Sequence, residues 1–152
     1  MEINPQIMVK VNMPSANKLL VDADAFVGIY TEEDTNYTKA IEFSSEIDKK
    51  GIQLITSDPA LGEAITVISQ KIGLPKAVEF AENILAGPIE IIEVDAKLRR
   101  AALEIFKKQT SKNSRFTDCV NMAIMKEKGT DTIFSFDRQY KVNKLKRFGI
   151  DD

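Results

Sequence analysis

Short apolar runs alternate with helix-patterned stretches along almost the whole chain, and this alternation restricts the fold more than any other feature. Residues 18–22 (KLLVD) read as a buried strand, followed by a short helix over residues 25–30. Tyr37, Ala40, Ile41, Ser44 and Ile47 then recur at helical spacing, and Gly51 closes that helix. A second strand is expected over residues 52–56, and Asp58-Pro59 supplies an N-cap and a first helical proline for the next helix. Leu74-Pro75 opens another helix that ends near Gly87-Pro88. Residues 89–94 (IEIIEV) alternate as a strand does, and Asp95 caps a helix with Leu98, Ala101, Ala102, Ile105 and Phe106 on one face. A helix starting at Ser114 or Thr117 runs to Gly129, residues 132–136 form a strand, and residues 148–150 form an edge strand. Strands alternating with helices predict a three-layer α/β/α sandwich around a mostly parallel sheet of four to five strands.

The chain has 152 residues, the usual size of one domain, and no repeat or Pro/Gly/Ser-rich linker divides it. Residues 1–17 read as an irregular leader without a signal-peptide core, and residues 18–152 as a single domain. No apolar run approaches the roughly 18–20 residues that span a bilayer, so the expectation is a cytoplasmic protein without a membrane partner. The lone cysteine, Cys119, agrees, since it has no internal disulfide partner.

Histidine is absent, which removes Ser-His-Asp and Cys-His nucleophiles, histidine-bound metals and histidine-pair acid–base systems together. Hydrolytic chemistry near neutral pH then falls to carboxylates, lysines or a carboxylate-bound metal. Charge is also unevenly placed: residues 1–96 carry a net −9 and residues 97–152 a net +7. A basic half on a near-neutral protein can form a phosphate-binding surface; the plain alternative is the solvated face of a helix bearing Lys97, Arg99, Arg100, Lys107 and Lys108.

Four acids fall where a parallel sheet places its ligand site, beyond the carboxyl ends of the strands. Asp22 ends the first strand and Asp137 follows the strand at 132–136. Glu63 lies in the helix entered from the second strand, and Asp118 in the first turn of the helix ending at Gly129. Each has an ordinary reading as cap, turn former or solvent-facing residue. The surroundings weigh against it: LLVDADAF, LGEAITVI, FTDCVNMAI and IFSFDRQY set every acid among apolar neighbours. Unpaired carboxylates there would cost several kcal/mol or take up protons, and a divalent cation relieves their repulsion. Hard oxygen ligands select Mg²⁺ or Mn²⁺, either of which can activate water and bind a scissile phosphate.

The order of these stretches, from LLVDADAFVGIY through ITSDPALGEAITVIS and FTDCVNMAIMKEKG to TIFSFDRQY, resembles the PIN domain family over nearly the whole chain. The resemblance implies a Mg²⁺- or Mn²⁺-dependent endoribonuclease, with VapC-type toxins of toxin–antitoxin pairs as its most numerous small members. It assigns Asp22, Glu63, Asp118 and Asp137 to the four acidic positions. Ser135 stands where the family often has a hydroxyl and is expected to hold a water or phosphate. Asn121, one turn after Asp118, is either an orienter of a metal-bound water or a satisfied polar residue at the core edge. The family's small polar pair after the first acid is replaced by Ala23 and Asp24, leaving Asp24 as a fifth acid or a helix cap, with the cap favoured. Arg115, Arg138 and Lys141 are candidates for steering the RNA backbone. Unpaired RNA, a small antitoxin and a second copy of the chain are the implied partners. The rivals are a haloacid-dehalogenase-like phosphatase, suggested by the Asp22/Asp24 pair but lacking its other marks, and a non-catalytic RNA- or protein-binding module on a PIN fold.

Overall fold

Strand β1 (Lys18–Val21) lies at the centre of a five-stranded sheet whose order is β3-β2-β1-β4-β5, every neighbouring pair parallel. The structure, a computed structural model, describes residues 18–151, so the leader expected over residues 1–17 lies outside the described residues. After β1 come α1 (Ala23–Tyr30), α2 (Tyr37–Lys50), β2 (Gln53–Ser57), α3 (Asp58–Ile72), α4 (Leu74–Ala86) and β3 (Glu90–Ile92). The chain then crosses to the other side of β1 through α5 (Ala96–Lys107) and α6 (Phe116–Lys128), and finishes with β4 (Thr132–Phe134), α7 (Arg138–Val142) and β5 (Lys146–Arg147). Leu20 is in register with Ile55 of β2 on one side and Ile133 of β4 on the other. The order therefore reverses between β1 and β4, and a crevice opens beyond their carboxyl ends.

The side-chain period of a strand divides the core into two layers. Leu19 and Val21 face a layer built by α1 to α4, with Phe26, Phe43, Ile68 and Phe80. Leu20, Ile55 and Ile133 face the other layer, with Leu98 of α5, Ile124 and Met125 of α6 and Tyr140 of α7. These layers complete the three-layer sandwich that the alternation predicts. Several local signals work as the sequence suggests. Asp95 accepts from Leu98 N at 2.8 Å, and Gly51 ends α2 at φ +66°.

Three local expectations are corrected. Asp22, not Asp24, caps α1, accepting from Ala23 N at 2.8 Å, because the helix begins as soon as β1 ends. Ser57, not Asp58, caps α3, its Oγ accepting from Ala60 N at 3.1 Å. β5 occupies Lys146–Arg147 and not residues 148–150, since Gly149 turns the chain at φ +78°. Helix α7 is an addition to the elements read from the sequence. Among the described residues no helix is long and apolar enough to cross a membrane.

Candidate active site

The four acids come together at the switch between β1 and β4. Asp22 directly follows β1; Asp118 stands in the first turn of α6; Asp137 is the N-cap of α7; Glu63 projects from α3. With Asp24, Asn36, Arg115 and Phe136 they line a cavity of about 280 Å³. A larger cavity of about 850 Å³, bordered by Ile41, Ile52, Leu54, Pro88 and Ile89, sits where the strands begin and gathers no comparable set of acids. The smaller one is the candidate site.

A buried polar lattice fixes these carboxylates. The Tyr140 hydroxyl lies 2.8 Å from Asp22 Oδ2 and 3.3 Å from Asp118 Oδ1, and accepts from Asn121 Nδ2 at 2.9 Å. The second Asn121 N–H donates to Asp22 Oδ1 at 3.1 Å, while Asn121 Oδ1 accepts from Ser57 Oγ at 2.7 Å. Both N–H groups and the carbonyl oxygen of this fully buried amide thereby have a partner. Asn121 thus has the partners of a satisfied polar residue and lies outside the cavity lining. Ser135 is likewise buried and outside that lining. Its Oγ stands 3.0 Å from Asp24 Oδ1 and 3.3 Å from Asp22 Oδ2, and accepts from Asp137 N at 3.1 Å. It links Asp22, Asp24 and the backbone of Asp137.

Asp24 is no cap. Its Oδ2 accepts from Phe136 N at 2.8 Å, so it pins the turn that carries Asp137 while also lining the cavity. Arg115 lines the cavity and pairs with Glu63 at 3.3 Å. Arg138 and Lys141 do not line it; Lys141 leans toward Asp151 at 3.9 Å. Sequence reading missed Tyr140, Ser57 and Arg147. Arg147 clamps Asp151 through Nε at 2.6 Å and donates from a terminal nitrogen to Phe136 O at 3.2 Å, holding the same turn from the other side.

Burial dominates the electrostatics. It raises the carboxyl of Asp22, opposed chiefly by the Tyr140 hydrogen bond. Burial, then the charge of Asp22, pushes Asp24 up to about 7, and the same two causes push Asp118 to about 7. Burial also lifts the Tyr140 hydroxyl well above its ordinary value and the Cys119 thiol to about 11, leaving that thiol inert. Asp118 Oδ2 is buried without any hydrogen-bond partner, an exception that calls for a ligand or a proton. The acids converge on a cavity and not on a point: among the described residues no three acidic side chains stand in direct ion-holding positions. A donor set of carboxylate oxygens around an unpartnered oxygen nevertheless suits a hard divalent cation and not zinc.

A parallel α/β sandwich with acids gathered at its switch point defines a class of open-sheet domains whose ligand sites lie beyond the carboxyl ends of the strands. Within that class the chain belongs to the PIN domain family, whose pattern matches residues 19–145. This membership displaces the haloacid-dehalogenase reading. The chain is 28% identical over 87 residues to the 23S rRNA-specific endonuclease VapC20 of Mycobacterium tuberculosis, in strains CDC 1551 / Oshkosh and ATCC 25618 / H37Rv alike. That alignment covers 57% of this chain and 66% of the relative, just under two thirds of its length. The crystal structure of M. tuberculosis VapC20, a sarcin-ricin loop cleaving toxin, superposes with a TM-score of 0.76 at 22% identity, covering 84% of this chain and 95% of that one. At that identity the superposition establishes the fold.

Proposed function

We propose that the protein is a Mg²⁺- or Mn²⁺-dependent endoribonuclease that hydrolyses phosphodiester bonds of unpaired RNA in the cavity between β1, β4 and α6. The observation that carries this reading is Asp118 Oδ2, an unpartnered buried carboxylate oxygen in a cavity that Asp22, Asp24, Glu63 and Asp137 also line. Asp22, Asp118 and Asp137 would hold the cation, with Glu63 as ligand or water positioner. When bound, the cation supplies charge stabilisation at the scissile phosphate and activates the attacking water.

The chain's own groups supply position. Tyr140, Asn121 and Ser135 lock the rotamers of Asp22 and keep it from swinging away from Asp118. Asp24 fixes the turn into Asp137 through Phe136 N. Arg115, mostly exposed at the rim, offers a positive charge where an anionic backbone enters. The VapC20 relatives, described as 23S rRNA-specific endonucleases, support RNA as substrate. They also support a toxin role with a small antitoxin partner, and a cytoplasmic location goes with that reading.

A mixed RNA pool incubated with Mn²⁺, with Mg²⁺ and with excess EDTA, beside Asp118→Asn, tests the reading. Cutting that needs the cation and vanishes in the variant is expected. Absence of cutting together with absence of calorimetric Mn²⁺ binding would reduce the acids to structure and leave a binding module.

A further inference from the structure

Beside the acidic cavity, α5 and α6 meet on a surface that the proposed chemistry leaves unused. Phe106, next to last in α5, and Phe116, first in α6, pack edge to face with ring centroids 5.8 Å apart and planes at 77°. They remain 40% and 38% exposed, so this pair contributes little core and keeps aromatic surface in water. Between the two rings residues 107–115 (KKQTSKNSR) carry Lys107, Lys108, Lys112 and Arg115 and no acid.

This connection is built and not loose. Ser114 Oγ lies 3.1 Å from Gln109 Oε1 and 3.2 Å from Gln139 Oε1, and Gln109 Nε2 donates to Asn143 at 2.9 Å. Gln139 belongs to α7, the helix capped by Asp137, so the basic segment is braced against an element that carries an acid of the cavity. Arg115 closes the segment, precedes Phe116 and reaches across the cavity to Glu63. Aromatic faces, a run of cations and the cavity rim therefore follow one another within a few residues.

Unpaired RNA offers the matching chemistry: free π-faces from its bases and regularly spaced phosphates. A duplex keeps its bases stacked and has no face to present to the rings. We propose that Phe106 and Phe116 form a base-stacking platform, with Lys108, Lys112 and Arg115 as phosphate contacts, that seats an unpaired nucleotide of the RNA beside the acidic cavity. The proposal rests on the nuclease reading and adds the surface that chooses unpaired RNA.

The test is fluorescence anisotropy with a short labelled single-stranded RNA, an abasic strand of equal length and a duplex, in the Asp118→Asn background so that nothing is cut. Leucine keeps apolar volume without an aromatic face, so Phe106→Leu and Phe116→Leu are compared with the parent after thermal melts confirm folding. Binding of the single strand is expected to weaken roughly tenfold per ring removed. The abasic strand should bind parent and variants alike. Lys108→Gln with Lys112→Gln should instead flatten the salt dependence for every strand. Equal binding of parent and leucine variants, or a parent preference for duplex, overturns the platform while cleavage by the wild-type chain keeps the nuclease reading. A folded wild-type chain that neither binds nor cuts RNA overturns both.

Discussion

A phenol has one proton to donate, and two carboxylates stand within reach of the one on Tyr140. The shorter bond, 2.8 Å, goes to Asp22 Oδ2; Asp118 Oδ1 waits at 3.3 Å and Asp118 Oδ2 has no partner. One oxygen of Asp118 thus has no partner to support its charge, and burial followed by the charge of Asp22 raises it from 3.8 to about 7. The folded state then binds that proton more tightly than the unfolded chain does. Its contribution is complete below about pH 4 and is lost as pH rises through about 7. Melting temperatures of the cation-free protein in EDTA should fall over that interval. Asp118→Asn keeps the oxygen facing Tyr140 and cannot ionise, so it should make the decline shallower, leaving the share of Asp24, which is also raised to about 7, and raise the melting temperature at pH 8. It should also abolish the stabilisation that Mn²⁺ gives the wild type. A variant that melts lower than wild type at every pH would mean the carboxylate is needed for packing. Tyr140→Phe removes the donor to Asp22 and the acceptor of Asn121, and should cost about 1–3 kcal/mol in urea unfolding. Because it frees Asp22 to rotate, Mn²⁺ affinity measured by calorimetry should drop about 10–100-fold. Unchanged affinity would reduce Tyr140 to a core residue.

At the scale of elements, what the sequence reveals and what it hides separate along physical lines. Strands β1 to β4 and helices α2 to α6 are legible because burial imposes a period of its own on each, and Gly51 and Asp95 announce helix ends through local chemistry alone. The shift from Asp24 to Asp22 as the cap of α1 is invisible in sequence, because both acids can cap. The choice depends on Phe136 N, 112 residues away, which takes Asp24. Helix α7 is five residues long, too short for periodicity, and exists because Tyr140 must be buried beside Asp22 and Asp118. The four acids were readable from their apolar settings; the Tyr140–Asn121–Ser57 lattice behind them was not, since it joins three elements. Two glycines make the local case testable. Gly51 and Gly149 both hold positive φ, at +66° and +78°, but an added Cβ meets nothing within 4 Å at Gly51 and the Phe43 ring at 2.5 Å at Gly149. Gly51→Ala should cost about 1 kcal/mol, the left-handed penalty alone. Gly149→Ala adds overpacking against Phe43, which itself packs on Phe134, Phe136 and Phe148, and should cost roughly 2–4 kcal/mol by urea unfolding. Equal losses at the two positions would show that Phe43 yields at no cost.

Over the whole molecule, the balance of burial leaves one helix half satisfied. Helix α4 turns Ala77, Phe80 and Ile84 into the core and carries Leu74, Val78 and Leu85 on another face, exposed by 67%, 47% and 68%. Positions 74, 78 and 85 fall within about 40° of one another at 100° per residue, so they form one stripe and not scattered apolar surface. A solvent-facing stripe of two leucines and a valine is disfavoured in a monomer, and self-association is its simplest relief, consistent with the homodimer implied by the family resemblance. In a two-fold arrangement the stripe would meet its own copy, so each substitution acts twice. Val78→Glu with Leu85→Lys should therefore shift sedimentation from dimer to monomer at micromolar protein while leaving Mn²⁺ binding at the distant acidic cavity unchanged. Retention of the dimer by a folded double variant would move the interface to another face. A wild type that sediments as a monomer would instead leave the stripe of α4 for a different protein to cover, with charged residues at 78 and 85 blocking that contact.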